Sequence, residues 1–266
     1  MPAAPKPVDL RALAVRLAVA AGAELLARQR SLSIDAAGVE TKSSASDPVS
    51  DADRASEKLI VDGLTEARPG DGLLGEEGAA SASSTGLTWV IDPLDGTVNY
   101  LYGRLDWCVS IAVEDAHGAV AGVVHQPRTG TTWSAARDAG AHRDDVRLGP
   151  LRQAELQSAL VSTGFSYLPE RRAQQAEVLR DLLPAVRDIR RGGSAALDLC
   201  SVADGTADAY YEHVIQPWDV AAGALIAREA GATVVRGPGT AFPQGILAAA
   251  PAVAVPLREL LTRRSV

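Results

Sequence analysis

Several scarcities in this chain each exclude a class of protein. Two cysteines, Cys108 and Cys200, stand far apart in 266 residues with no Cys-x-x-Cys pair. That argues against a disulfide framework and a thiolate zinc site, and makes a reducing cytoplasm the expected compartment. Four histidines, His117, His125, His142 and His213, show no metal-ligand spacing and read as loop or ordinary surface residues. Basic residues are in deficit, with 26 Lys and Arg against 33 Asp and Glu and a net charge of −7, so no nucleic-acid-binding face is expected. No stretch reaches the ~18–20 uncharged apolar residues of a membrane span. Asp9, Arg11, Arg16 and Glu24 interrupt the first apolar residues, so no signal peptide is read there, and Met1 to Pro7 reads as a frayed tail. A GxxxxGK run is missing, and Gly237-Pro238-Gly239 lacks the third glycine of a dinucleotide fingerprint.

What is present is a chain 47% hydrophobic, enough for one large domain or two small ones. Leu10, Leu13, Leu17 and Leu25 predict an amphipathic helix from Val8 to about Arg30, and Leu59, Ile60 and Leu64 another over 52–67, with Ser50 and Asp53 as a capping box. Ala79 to Gly86 reads as a small-residue loop. Short strands at 89–91, 107–113, 119–124 and 131–135, separated by turn signals, predict an antiparallel sheet. Composition shifts at Gly149-Pro150, dividing an N-terminal α+β part (8–149) from a C-terminal α/β part (150–266). In the second part, strands are expected at 159–163, 186–189 and 209–211. Helices are expected at 171–183, from Gly192-Gly193-Ser194 to Ala203, and from Pro217 to the stop at Gly231.

The chemistry concentrates in carboxylates. Trp89-Val90-Ile91 runs into Asp92-Pro93-Leu94-Asp95-Gly96-Thr97, and Glu76-Glu77 lies upstream. Asp-Pro and Asp-Gly are also ordinary turn punctuation. Two acids three apart beside an apolar strand are better explained by a hard divalent cation, Mg2+ first, because clustered buried carboxylates repel one another without one. Asp47, Asp51 and Asp53 do not make an EF-hand, since Lys58 stands at the twelfth position, and helix capping accounts for Asp51 and Asp53 equally well. Asp219 reads as an N-cap that can also face a ligand. Gly192-Gly193-Ser194-Ala195-Ala196 admits two readings, a nucleophile elbow with Ser194 attacking or a helix N-terminus meeting an anion, and the second is preferred because the only later histidine is His213.

Two stretches then resemble the signatures of the inositol monophosphatase family. They are Trp89-Val90-Ile91-Asp92-Pro93-Leu94-Asp95-Gly96-Thr97-Val98-Asn99-Tyr100 and Trp218-Asp219-Val220-Ala221-Ala222-Gly223, the latter running to Glu229-Ala230-Gly231-Ala232. Gly75-Glu76-Glu77 and the Lys42 to Glu57 segment follow the family's other acidic elements, and the resemblance spans about Leu10 to Pro251. It implies a layered αβαβα sandwich (α/β, of the inositol monophosphatase and fructose-1,6-bisphosphatase type) and a magnesium-dependent, lithium-sensitive phosphomonoesterase, usually a homodimer. By matching position it implies metal ligation by Glu76, Asp92, Asp95, the Leu94 carbonyl and Asp219, for two or three Mg2+. It implies that Glu76 and a Thr97–Asp53 pair act on the attacking water, with Asp51 the competing partner for Thr97. It further implies that Asp95, Gly96, Thr97, Gly193, Ser194, Ala195, Glu212 and Asp219 meet a small phosphorylated substrate. Inositol 1-phosphate is the leading substrate. Histidinol phosphate, or a non-catalytic regulatory role on the same fold, is the alternative. No basic run adjoins Glu212, which weighs against a second phosphate.

Overall fold

The computed structural model describes residues 5–30, 40–41, 48–49, 51–237 and 239–263. Ser50, the expected cap, and Asp47 lie outside the described residues, as does most of the tail. The chain opens with α1 (Pro7–Gln29), a two-residue ladder of β1 (Glu40–Thr41) and β2 (Pro48–Val49), and α2 (Asp51–Ala67). An eight-stranded sheet follows: β3 (Gly72–Gly75), β4 (Ala80–Ser81), β5 (Thr88–Asp95), β6 (Cys108–Asp115), β7 (Gly118–Gln126), β8 (Thr131–Ala136), β9 (Gly140–Arg143) and β10 (Val146–Arg147), with short α3 (Thr97–Leu101) after β5. Its spatial order is β10-β9-β8-β7-β6-β5-β3-β4. Antiparallel pairing holds throughout except between β3 and β5, which are parallel.

Beyond the cis peptide at Gly149-Pro150 come β11 (Leu160–Thr163), α4 (Pro169–Leu182), β12 (Asp188–Arg190), α5 (Ala195–Ala203), β13 (Ala209–Glu212), α6 (Pro217–Glu229), β14 (Thr233–Arg236), β15 (Ile246–Ala249) and α7 (Pro251–Leu261). The second sheet runs β12-β11-β13-β15-β14. β11 is parallel to β12 and β13, and β15 is antiparallel to β13 and β14.

Three apolar cores stack these parts into five layers. Leu10, Leu13 and Leu25 of α1 and Ile60 and Leu64 of α2 pack on Trp89, Ile91, Ile111 and Val123, one face of the large sheet. The alternate residues Val90, Ala112 and Val124 face the other way, onto Leu199 of α5 and Val220 and Leu225 of α6. Those helices meet Tyr210 and Ala248 of the small sheet, whose far face packs Val161, Tyr211 and Leu247 on Val178 of α4 and Val253 and Leu257 of α7. The period-two alternation of β5 thus serves both cores, and the expected αβαβα order is observed. The middle core joins residues from both sides of the Gly149-Pro150 boundary.

Helix α6 carries Asp219, so its seating matters. A Cβ on Gly122 of β7 would lie 2.9 Å from the Ala222 Cα, and one on Gly223 would lie 2.7 Å from the Leu199 Cβ. Only hydrogen fits at either place, and the two glycines bring α6 close against the sheet and against α5. The helix ends as expected: Gly231 (φ 100°) receives the chain, its N–H meeting the Arg228 carbonyl while Ala232 N–H meets Ala227, a Schellman closure.

The histidine expectation needs correction. His125 is a buried residue of β7, its Nδ1 2.9 Å from the Thr132 hydroxyl, and burial lowers its pKa. Its period-two position on a strand buried on both faces, rather than any ligand, put it inside. The 79–86 loop also contains β4, which hydrogen-bonds to β3.

Candidate active site

Asp92 and Asp95 do not lie on a free turn, as the Asp-Pro and Asp-Gly pairs suggested. They end β5, and the register against β6 slips between them: Asp92 pairs with Ser110 and Asp95 with Cys108. Three steps along β5 thus match two along β6, which is a β-bulge. In a regular strand, residues three apart point to opposite faces. The extra residue cancels that alternation and turns both carboxyls to one side. Leu94 N–H donates to Asp92 Oδ1 at 3.0 Å, and the Ser56 hydroxyl donates to the Pro93 carbonyl at 2.8 Å, fixing the bulge from both sides. Gly96 follows at φ 93°, where a Cβ would lie 2.8 Å from the Asp106 carbonyl oxygen. Conformation and space both demand glycine there.

The parallel β3–β5 pairing delivers Glu76. Gly75 is registered with Ile91, and Glu76 N–H donates to the Ile91 carbonyl at 3.1 Å, which sets Glu76 beside Asp92. Glu57 of α2, unnoticed as a separate element of the sequence, holds this corner. Its carboxylate accepts the N–H groups of Glu77 and Ala79, each at 3.0 Å.

At the glycine loop the structure shows an internal acceptor for the helix start, the Asp95 carboxylate. The Ser194 hydroxyl and the Ala196 N–H at the start of α5 both donate to Asp95 Oδ2 at 2.7 Å, and Ser194 is buried. A serine so placed does not attack a substrate. Ser194 lines the site's cavity, with its hydroxyl committed to Asp95. Asp219 stands at the third position of α6 rather than at its N-cap, and its carboxylate accepts the Gln216 N–H at 2.9 Å.

Asp53 is fully buried in the first turn of α2 and faces Thr97. The Thr97 hydroxyl lies 3.1 Å from the Leu94 carbonyl and 3.5 Å from Asp53 Oδ1, so its shorter contact is with the backbone. Asp51 is exposed and pairs with Arg54 at 2.6 Å, which removes it as a rival. Glu212, at the end of β13, accepts the Tyr210 hydroxyl at 2.8 Å.

These residues surround one cavity of about 290 Å3, whose wall includes Glu76, Asp92, Leu94, Asp95, Gly96, Thr97, Gly193, Ala195, Glu212 and Asp219. Its charge is unbalanced. Burial pushes the Asp92 carboxyl far up, and Glu76, Asp95 and Asp219 add to it by repulsion. Asp219 is driven up by burial, then by Asp95 and Glu76. Asp95 is raised by burial to about 6 although Ser194 and Ala196 stabilise its charge, and burial raises Glu212 to about 7. Among the described residues no Lys or Arg pairs with Asp92, Asp95 or Asp219.

The same wall holds residues that the motifs did not reveal. Arg191 shares the cavity with Glu212 and lowers that carboxyl's pKa, and Asp198, driven up by burial, lies in the first turn of α5. The signal for Arg191 was the Arg190-Arg191 pair ahead of the glycines. Arg171 of α4 stands at the rim.

The donor set tests the expected metal. Every side chain at the floor offers carboxyl oxygen, which suits a hard cation and not a soft one. Several buried acids lacking a protein counter-charge are the environment a divalent ion compensates. Among the described residues no three His, Cys, Asp or Glu side chains are gathered closely enough to hold one metal ion between them. The arrangement is therefore an open oxygen-lined wall that fits Mg2+ in chemistry and charge.

The model of the inositol monophosphatase family matches residues 7–263. The chain belongs to the inositol monophosphatase family. Across 97% of its length it is 45% identical to the inositol-1-monophosphatase of Mycobacterium bovis, of which 95% is covered. It is 43% identical, over 74% of the chain and 72% of the relative, to a protein of Xylella fastidiosa named Nus factor SuhB. The crystal structure of the extragenic suppressor protein suhB from Bartonella henselae superposes with a TM-score of 0.88 at 35% identity, covering 95% of this chain and 98% of that one. As a member of this family the chain is a phosphatase by kinship. Among the described residues no helix is long and apolar enough to cross a membrane.

Proposed function

We propose that the chain is a Mg2+-dependent phosphomonoesterase that hydrolyses a small polyol phosphate, inositol 1-phosphate first. The observation that carries this is the convergence of Glu76, Asp92, Asp95 and Asp219 on one cavity, where burial raises the pKa of the three aspartates and no cationic side chain pairs with them among the described residues.

Glu76, Asp92, Asp95, Asp219 and the Leu94 carbonyl would hold the cations, which would supply positive charge toward the phosphate and leaving oxygens and acidity to the attacking water. The protein does the positioning. Asp95 is fixed by Ser194 and Ala196, and Asp219 by the Gln216 N–H. Thr97 orients the water, with Asp53 within reach of its hydroxyl, while Glu76 takes the proton. The N–H groups of Gly96 and Thr97 hold the phosphate, and Glu212 accepts from polyol hydroxyls. No side chain becomes phosphorylated.

Asp95→Asn tests the mechanism. It keeps the shape and removes the charge, and kcat for inositol 1-phosphate should fall on the order of 100- to 1,000-fold while the melting temperature holds. Near-normal turnover in that variant would sink the proposal. The Nus factor name of the Xylella relative motivates a second reading, a binding role on the same fold. Such a role survives Asp95→Asn in a pull-down against transcription proteins, whereas the phosphatase reading predicts that the variant's defect is catalytic.

A further inference from the structure

Glu212 ends β13, and the strands on either side of it both present a glycine at that level. β11 runs parallel to β13 with Thr163 registered against Tyr211, so the next residue, Gly164, comes beside Glu212. β15 runs antiparallel with Ile246 registered against Glu212, and Gly245 precedes it. A Cβ on Gly164 would collide with Glu212 Oε2 and lie 2.6 Å from its Cδ. One on Gly245 would collide with the Glu212 carbonyl oxygen and lie 2.6 Å from that of His213. Neither glycine has a positive φ, so backbone conformation does not require them. Room is the reason: Gly164 admits the carboxyl, and Gly245 admits the chain that carries it.

The carboxyl is also held. Tyr210 and Glu212 are two apart on one strand and so share a face. Tyr210 is fully buried in the middle core, and its phenol donates to Glu212 Oε2 at 2.8 Å. That is the one hydrogen bond to this carboxyl among the described residues. The Thr163 hydroxyl donates to the Tyr211 carbonyl at 3.0 Å, which ties β11 to β13 one residue before Gly164. The oxygen against Gly164 is thus the one that the phenol occupies. Oε1 has no donor from the described residues, and Glu212 lines the active cavity. A carboxylate with one oxygen fixed inside the protein offers the other to a ligand in a set orientation.

We propose that Tyr210 and Gly164 are positioning residues for substrate recognition: they seat the Glu212 carboxylate so that Oε1 accepts from a hydroxyl of the polyol, and so set a preference for hydroxylated leaving groups. The inference rests on the phosphatase reading, with Glu212 as the polyol acceptor. It adds two residues that lie outside both signatures and act through Glu212.

Inositol 1-phosphate and phenyl phosphate separate recognition from chemistry, because phenyl phosphate carries no hydroxyl for Glu212. With Mg2+, Gly164→Ala should raise KM for inositol 1-phosphate about tenfold, the worth of one charge-assisted hydrogen bond. Tyr210→Phe, which keeps the ring packing, should raise it in the same direction. In both variants kcat for inositol 1-phosphate and KM for phenyl phosphate should stay within about twofold. Because both act through Glu212, neither substitution should raise KM for inositol 1-phosphate further in a Glu212→Ala background. The melting temperature lost in Gly164→Ala should return in that background, where the added methyl no longer meets a carboxyl. A KM change shared equally by the two esters, an unchanged KM for inositol 1-phosphate in both variants, or effects that persist undiminished in Glu212→Ala overturns the proposal. Calorimetry separates this from failure of the phosphatase reading. Thr97→Val lacks the water-orienting hydroxyl and keeps the floor acids. Inositol 1-phosphate titrated with Mg2+ into Thr97→Val should bind about tenfold more tightly than to the Thr97→Val, Gly164→Ala double variant. Identical affinities refute the seat whether or not any ester turns over.

Discussion

Glu212 shows how much a single environment sets a single role. Burial holds its pKa near 7, with Tyr210 donating to it and Arg191 close enough to favour its charge. In the proposed function, polyol hydroxyls donate to this carboxylate and gain nothing comparable from the neutral acid. KM for a polyol phosphate should therefore rise as pH falls through about 7, and the rise should vanish in Glu212→Gln. A wild-type KM that stays flat across that interval removes Glu212 from substrate binding. Asp71 is the contrasting case. Burial acts to raise it, yet hydrogen bonds from Arg68, Thr85 and the Trp89 indole prevail and hold it low. Asp71→Ala leaves the buried Trp89 N–H without its acceptor, so unfolding free energy should drop by about 1–3 kcal/mol. Urea denaturation with an unchanged slope checks this, and an unaltered midpoint rejects the assignment.

At the level of elements, legibility in the sequence followed the range of the forces. α1, α2 and α6 were readable because leucine spacing, a proline start and a glycine stop are local signals. β14, β15 and α7 were not read, and Ile246–Ala249 buries every residue, leaving no alternation to see. The bulge that aligns Asp92 with Asp95 was misread as a turn because a register slip belongs to two strands at once, and only β6 reveals it. The four floor acids were legible through the family resemblance. Arg171, Asp198 and Glu57 were not singled out: Arg171 reaches the wall from α4, which has no motif, and Asp198 and Glu57 join the site or its support through packing that the motifs beside them do not reveal. The bond from Ser194 to Asp95 was not read, as side-chain direction at a helix start is decided by what lies opposite.

The whole molecule carries the cost of this acidity. Asp92, Asp95, Asp198, Glu212 and Asp219 all have pKa values raised by burial, Asp95 to about 6 and Glu212 to about 7. Across the interval between ordinary carboxyl values and these, the folded chain binds more protons than the unfolded one, so stability falls as pH rises. The metal-free protein should therefore melt at a lower temperature at pH 8 than at pH 5.5, with Mg2+ restoring the loss at pH 8 by binding the folded form alone. Melting curves with EDTA and with Mg2+ test both parts. A metal-free melting temperature that climbs over this range contradicts the charge assignment.

The close seating of α6 has a consequence for how the chain is made. The face of the large sheet formed by Val90, Ala112 and Val124 has its cover in α5 and α6, which are synthesised well after the sheet itself. Until residue 229 has left the ribosome, that apolar face has nothing native to rest on and Asp219 is not beside Asp92. The nascent chain is thus both sticky and inactive over the same interval. Birth of the site and burial of the sheet are one event.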